Sequence, residues 1–131
     1  VNLLLDTHVF LWYISKDTRL PPAMENAIRQ NHNKVFLSAV SVWECLVKHQ
    51  IGKLPFPHPP SEYITQQRQR HAIESLPLDE ASVRHLLSLP DLHRDPFDRM
   101  LLCQAMEHKL TLVTVDDAIK QYPVAIFQGN T

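Results

Sequence analysis

Only two cysteines stand among 131 residues, Cys45 and Cys103, and no C-x-x-C pair occurs. That excludes a zinc ribbon and a disulfide framework, and it points to free thiols in a reducing compartment, the cytoplasm. Excess positive charge is missing too. The 13 Lys and Arg stand against 14 Asp and Glu, for a net charge of −1 with histidines neutral. No strongly basic field announces nucleic acid, so any such binding must come from a local patch. No apolar run reaches the length of a membrane span and no signal-peptide pattern follows Val1, so no membrane partner is expected. Internal repeats, low-complexity tracts and a linker that would split the chain are also absent. What is present is an ordinary globular composition, 44% hydrophobic and 21% charged. The length fits one domain over residues 1–131, with a core that needs no disulfide or structural metal.

Short apolar runs alternate with helix-like segments almost throughout. Val1–Asp6 (VNLLLD) reads as a strand buried on both faces, and Thr7–Ile14 as a helix. Pro21 and Pro22 open a second helix to about Asn31. Lys34–Ser38 (KVFLS) is a strand, and Ser41–Ile51 is a helix ended by Gly52. Past the proline-rich Leu54–Pro60, a helix over Ser61–Arg70 and a weak strand over Ile73–Leu76 follow. Asp79 caps a helix to Leu89, and Pro96–His108 forms another. Leu110–Val115 (LTLVTV) is a strand, and a short helix with Val124–Phe127 closes the sequence. This order predicts an α/β fold: a parallel sheet flanked by helices on both faces, in a Rossmann-like three-layer arrangement.

Ligands of open parallel sheets bind beyond the carboxyl ends of the strands. Asp6 and Asp116 end two strands, while Glu44 and Asp98 fall in the first turns of two helices. Each has a bland reading. Glu44 with Ser41 forms a capping box, and Asp6, Asp116 or Asp117 could cap the helix that follows it. In the stretch HRDPFDRMLLCQA, Pro96 suits the first helical position, which makes Asp95 the N-cap and leaves Asp98 free for chemistry. Together the four acids weigh more. Packed carboxylates repel unless a cation separates them, and an oxygen-only set suits Mg²⁺ or Mn²⁺. Such an ion polarises a phosphoryl oxygen and lowers the pKa of a bound water.

At these residues the chain resembles the PIN-domain family, in particular the VapC-type toxins of bacterial type II toxin–antitoxin modules. LLLDTHVFLW resembles the family's opening strand with its first acid, Asp6. SAVSVWE resembles the segment with the second, Glu44; HRDPFDRMLLCQA the third, with Asp98; and LTLVTVD the fourth, with Asp116. The four motifs stand in order across nearly the whole chain. The resemblance implies a metal-dependent endoribonuclease using Mg²⁺ or Mn²⁺ at Asp6, Glu44, Asp98 and Asp116. It further implies an RNA substrate, a cognate antitoxin and a homodimer. A subgroup carries DPFDR with both aspartates, which keeps Asp95 as a secondary contact. Thr114 is a secondary polar contact, and Asp117 a cap or a more distant contributor.

Other residues divide between roles. Arg94 or Arg99 could pair with an RNA phosphate or orient Asp98, or form a surface ion pair. His93 reads first as a partly exposed loop histidine, and second as a proton donor to a leaving oxygen. Gln66–His71 (QQRQRH) is the densest basic stretch and reads as a solvated helix face ahead of an RNA track. The consecutive apolar residues Phe10 to Ile14 exceed what one helix can bury, so part of that surface should reach an antitoxin helix, a dimer mate or the proline-rich loop. A receiver-type signalling domain wants paired acids after the first strand, and a haloacid-dehalogenase-type phosphatase wants D-x-D. Here Asp6 is followed by Thr7 and His8. A catalytically silent PIN-like binding module would have lost an acid, and all four are present.

Overall fold

A computed structural model describes residues 1–57, 59–93 and 95–129. Its strands are β1 (Asn2–Leu5), β2 (Lys34–Ser38), β3 (Glu74–Leu76) and β4 (Thr111–Val113). The helices are α1 (Thr7–Ser15), α2 (Pro22–Arg29), α3 (Ala39–Gln50), α4 (Pro60–Arg70), the one-turn α5 (Glu80–Val83) and α6 (Pro96–His108). The strands run parallel in the order β3-β2-β1-β4. Leu4 stands level with Phe36 on one side and Leu112 on the other.

Alternation along the strands builds two cores. Leu3, Leu5, Val35, Leu37 and Val113 face one side, where α1, α2, α3 and α4 bring Phe10, Met24, Ile28, Cys45 and Ile64. Leu4 and Leu112 face the other, against Leu101, Leu102 and Ala105 of α6 and against Ile119 and Tyr122. Both faces of the sheet are therefore covered, and the three-layer α/β expectation holds. Both cysteines are buried and unpaired.

Three elements differ from their sequence reading. α3 starts at Ala39, because Ser38 ends β2 and caps the helix at once, its Oγ accepting from the Val40 amide at 2.9 Å. The expected Ser41–Glu44 capping box therefore does not exist. Asp79 does cap a helix, accepting from the Ser82 amide at 2.9 Å, but α-geometry lasts only to Val83 and residues 84–88 are 3₁₀. Pro90 forces Leu89 into extended backbone and limits that segment from its far end. β4 stops at Val113, where its carbonyl takes the Asp6 amide at 3.0 Å. Beyond that bond β1 has turned into α1, so Thr114 and Val115 have no strand beside them. Val124–Phe127 contributes a single parallel bridge, Leu112 to Ile126.

Strand order reverses at β1. From there the chain moves outward through β2 and β3, then returns to place β4 on β1's other side. α1 leaves β1 for one face, and the turn after β4 carries Ile119 and Tyr122 to the other. The diverging connections open a crevice at the carboxyl ends of β1 and β4, the usual ligand position of such sheets.

Candidate active site at the strand-order switch

Asp6 sits at that crevice because β1 delivers it there. Its Oδ1 caps α1 by accepting from the His8 amide at 2.7 Å, and its Oδ2 accepts from the Thr114 hydroxyl at 2.6 Å. It is only 3% exposed. Burial raises its pKa, against the pull of these hydrogen bonds, and the negative charge of Glu44 adds to the rise. Thr114 also accepts from the Asp116 amide at 3.1 Å, so one hydroxyl ties the ends of β1 and β4 together.

Glu44 is also buried, one turn into α3. Its Oε1 accepts from the Thr7 hydroxyl at 2.8 Å, which itself lies 2.9 Å from Ser41 Oγ. Its other oxygen pairs closely with the Lys48 ammonium, four residues on along the helix. Burial opposes the charge on Lys48, but the Glu44 hydrogen bond and charge, with Asp95 and Asp98 nearby, raise its pKa overall. Lys48 was not singled out in the sequence, although Glu-x-x-x-Lys on one helix face is a readable pair.

Asp95 and Asp98 divide their work as Pro96 suggests. Asp95 is the N-cap of α6, its Oδ1 accepting from the amides of Phe97 at 2.8 Å and Asp98 at 3.3 Å. Asp98 projects from the first turn into the crevice. Burial lifts its pKa to about 6, with Asp6, Asp95 and Glu44 repelling its charge and the His93 hydrogen bond opposing the rise. Asp116 lies three residues past β4 rather than directly on its end. Its Oδ1 accepts from the Ala118 amide at 2.9 Å, so it is the acid that starts the following turn. Asp117 is not the acid that starts the turn: its side chain is 94% exposed and pairs with Lys120 at 3.6 Å.

The clearest departure from the sequence reading is His93. Its Nε2 stands 2.8 Å from Asp98 Oδ2 and 3.8 Å from Asp116 Oδ2. The Asp98 hydrogen bond raises the His93 pKa. Donor atoms of His93, Asp98 and Asp116 all lie within 4.8 Å of one another, close enough to converge on one cation. The two carboxylate oxygens fit Mn²⁺ or Mg²⁺, and an imidazole nitrogen beside them fits Mn²⁺. No motif spacing flagged the histidine, because its partner Asp116 comes from a separate part of the chain.

Arg99 has a structural role that the sequence did not suggest. Its guanidinium donates to the carbonyls of Pro90 at 3.3 Å and His93 at 3.1 Å, and so organises the loop before α6. Arg94 lies outside the described residues. The basic stretch on α4 lies at the opposite end of the sheet, where Arg68 and Gln69 border a cavity of about 720 Å³ with Asn33, Lys34 and Glu74. The aromatic run on α1 buries Phe10 and leaves Leu11, Trp12 and Ile14 half-buried along a groove of about 410 Å³, walled by Leu54, Phe56 and Tyr63. The proline-rich loop thus forms one wall of that groove.

Comparison with known proteins agrees with this architecture. Over 58 residues, 44% of this chain and 41% of the relative, the sequence is 33% identical to Ribonuclease VapC16 of Mycobacterium tuberculosis. That aligned stretch spans less than half of the relative's length. Ribonuclease VapC22 of the same organism is 26% identical over 122 residues, 92% of each chain. Among solved structures, VapBC2 from Rickettsia felis bound to a promoter DNA fragment matches with a TM-score of 0.71 and 15% identity over 96% of each chain. VapBC-1 from nontypeable Haemophilus influenzae matches with a TM-score of 0.67 and 15% identity over the full length of both. At those identities the structures speak for the fold alone. The PIN-domain family model matches residues 3–125, from β1 to the bridge beside β4, and on that match the chain belongs to the PIN domain family.

Proposed function

We propose that this chain is a divalent-metal-dependent endoribonuclease of the VapC kind, a toxin held inactive by a cognate antitoxin. The observation that carries the reading is the meeting of His93, Asp98 and Asp116 donors at the switch point, with Asp6 and Glu44 behind them. The names of the two ribonuclease relatives supply the substrate class.

Asp98 and Asp116 would hold the ion, Mn²⁺ or Mg²⁺, with Asp6 completing the negative field. When bound, the ion supplies Lewis acidity toward a phosphoryl oxygen and lowers the pKa of a water for attack on phosphorus. The protein supplies the rest. Thr114 and the His8 amide hold Asp6 in one orientation, so no rotamer search remains when substrate arrives. Thr7 and Lys48 do the same for Glu44, and Lys48 keeps a positive charge beside the acids, where an RNA phosphate must approach. Trp43, 55% exposed, leans edge-on against Phe97 with ring centroids 4.8 Å apart. It borders Glu44 and is placed to stack on a nucleobase.

The groove beside α1 fits an apolar antitoxin segment, and a homodimer is the working assembly. The unpaired buried thiols suit the cytoplasm. Purified protein should cleave mixed cellular RNA with Mn²⁺ and not with a chelator. Asp6→Asn, Glu44→Gln, Asp98→Asn and Asp116→Asn should each abolish cleavage while circular dichroism stays native. Full activity in a folded variant removes that residue from the site. A folded wild type that never cuts with metal returns the chain to a binding role.

A further inference from the structure

Carboxylate oxygens are what the family resemblance leads one to expect at this site, yet the third converging donor is a nitrogen. Two atoms each bound about 2.1 Å from one small ion stand roughly 3.0 Å apart at a right angle and about 4.2 Å apart in line. His93 Nε2 lies 2.8 Å from one Asp98 oxygen and 3.8 Å from one Asp116 oxygen. Both separations fit shared coordination after shifts of a few tenths of an ångström.

The ring is held in that position from its backbone. Tyr122, 3% exposed, accepts at its hydroxyl from the amides of Leu92 at 3.2 Å and His93 at 2.8 Å. The His93 carbonyl takes hydrogen bonds from Arg99 at 3.1 Å and from the Tyr122 hydroxyl at 3.4 Å, and Arg99 also reaches Pro90. A buried tyrosine and an α6 arginine therefore clamp both backbone groups of a loop residue. With the backbone fixed on both sides, the ring's reach is limited to the place where Nε2 meets Asp98 and Asp116.

We infer that His93 is a nitrogen ligand of the catalytic cation, making the centre a mixed imidazole–carboxylate site. This rests on the metal-dependent reading above. Imidazole suits transition ions, whereas Mg²⁺ keeps to oxygen and water. His93 thus gives the site a preference for Mn²⁺ over Mg²⁺ that carboxylates alone would not. On ligation Nε2 turns its lone pair to the ion and the ring proton resides on Nδ1.

The test uses the full chain and Mn²⁺ alone, without RNA. Pulsed electron paramagnetic resonance of bound Mn²⁺ detects a directly coordinated ¹⁴N. The wild type should show that coupling, and ¹⁵N-histidine labelling should replace it. His93→Ala should abolish it and weaken Mn²⁺ binding about tenfold, with Mg²⁺ binding changed less than about threefold. His8→Ala, which removes the other nearby imidazole, should leave the coupling intact; if it removes the coupling instead, the ligand is His8. Should His93→Ala fail to fold, His93→Gln serves as the second variant and should likewise lose the nitrogen coupling, because its amide binds a cation through oxygen. Mn²⁺ bound without nitrogen coupling overturns the assignment and leaves the nuclease reading standing. Nitrogen coupling without RNA cleavage supports the ligand and removes the nuclease. A folded wild type that binds no Mn²⁺ overturns both.

Discussion

Asp98 is held where its charge is costly. Its carboxyl is raised to about 6 from an ordinary 3.8, chiefly by burial. An acid that binds its proton more tightly when folded makes stability fall as pH rises, here across the window from about 3.8 to about 6. His93 works in the same direction at higher pH. Its pKa is raised by Asp98, so its contribution is full below its ordinary 6.5 and is lost as pH climbs past the folded value. Chelator-treated protein should therefore be more resistant to urea at pH 5 than at pH 8. Asp98→Asn should stabilise the metal-free fold at pH 8, by on the order of 1–2 kcal/mol after allowing for solvent screening, and by less at pH 5. Asp17 and Asp79 have lowered pKa values and lose their contributions only in more acid solution, so they leave this comparison alone. Mn²⁺ should reverse the trend, because a bound cation favours the ionised carboxylates. Without metal, a wild type whose urea midpoint changes from pH 5 to pH 8 just as that of Asp98→Asn does would contradict the electrostatics described for Asp98.

Helix starts separate what the sequence discloses from what it conceals. Asp95 caps α6 through two amides, so Asp95→Ala should cost about 1 kcal/mol, while Asp95→Asn, itself a good cap, should cost little. Thermal melts of the two variants decide it. RNA cleavage should survive Asp95→Asn in a way it does not survive Asp98→Asn. This assignment was legible because Pro96 marks the first helical position from sequence alone. The start of α3 was misplaced for the opposite reason. Ser41 and Glu44 have the spacing of a capping box, but the serine that caps is Ser38, already at the end of β2. Two serines three residues apart gave local rules two acceptable starts, and the choice was made by the strand before them. α5 fell short of its expected length because the helical segment tightens to 3₁₀ after Val83, and Pro90 stops it at Leu89.

At the scale of the molecule, the parallel sheet and both covered faces were legible as alternating apolar runs and helices. The contacts that assemble the site were not, because they cross the chain. Thr7 meets Glu44, and Thr114 meets Asp6 across 108 positions. No local pattern encodes such pairs, and none announced that His93 would stand between Asp98 and Asp116. The strand order also sets what can be removed. β1 is an interior strand whose neighbour on one side is β4, nearly the last element formed by the chain. Deleting residues 111–131 should abolish the cooperative thermal transition seen by circular dichroism, rather than merely lower its midpoint, because it strips one whole edge from β1. A truncated chain that still melts cooperatively would contradict that role for β4. The same arrangement has a consequence in time. Synthesis runs from β1 to β4, so a growing chain carries Asp6, Glu44 and Asp98 long before it has the strand that joins them to Asp116. Until β4 is made and paired with β1, the growing chain holds only an unassembled set of acids, so the site comes together late and as one event.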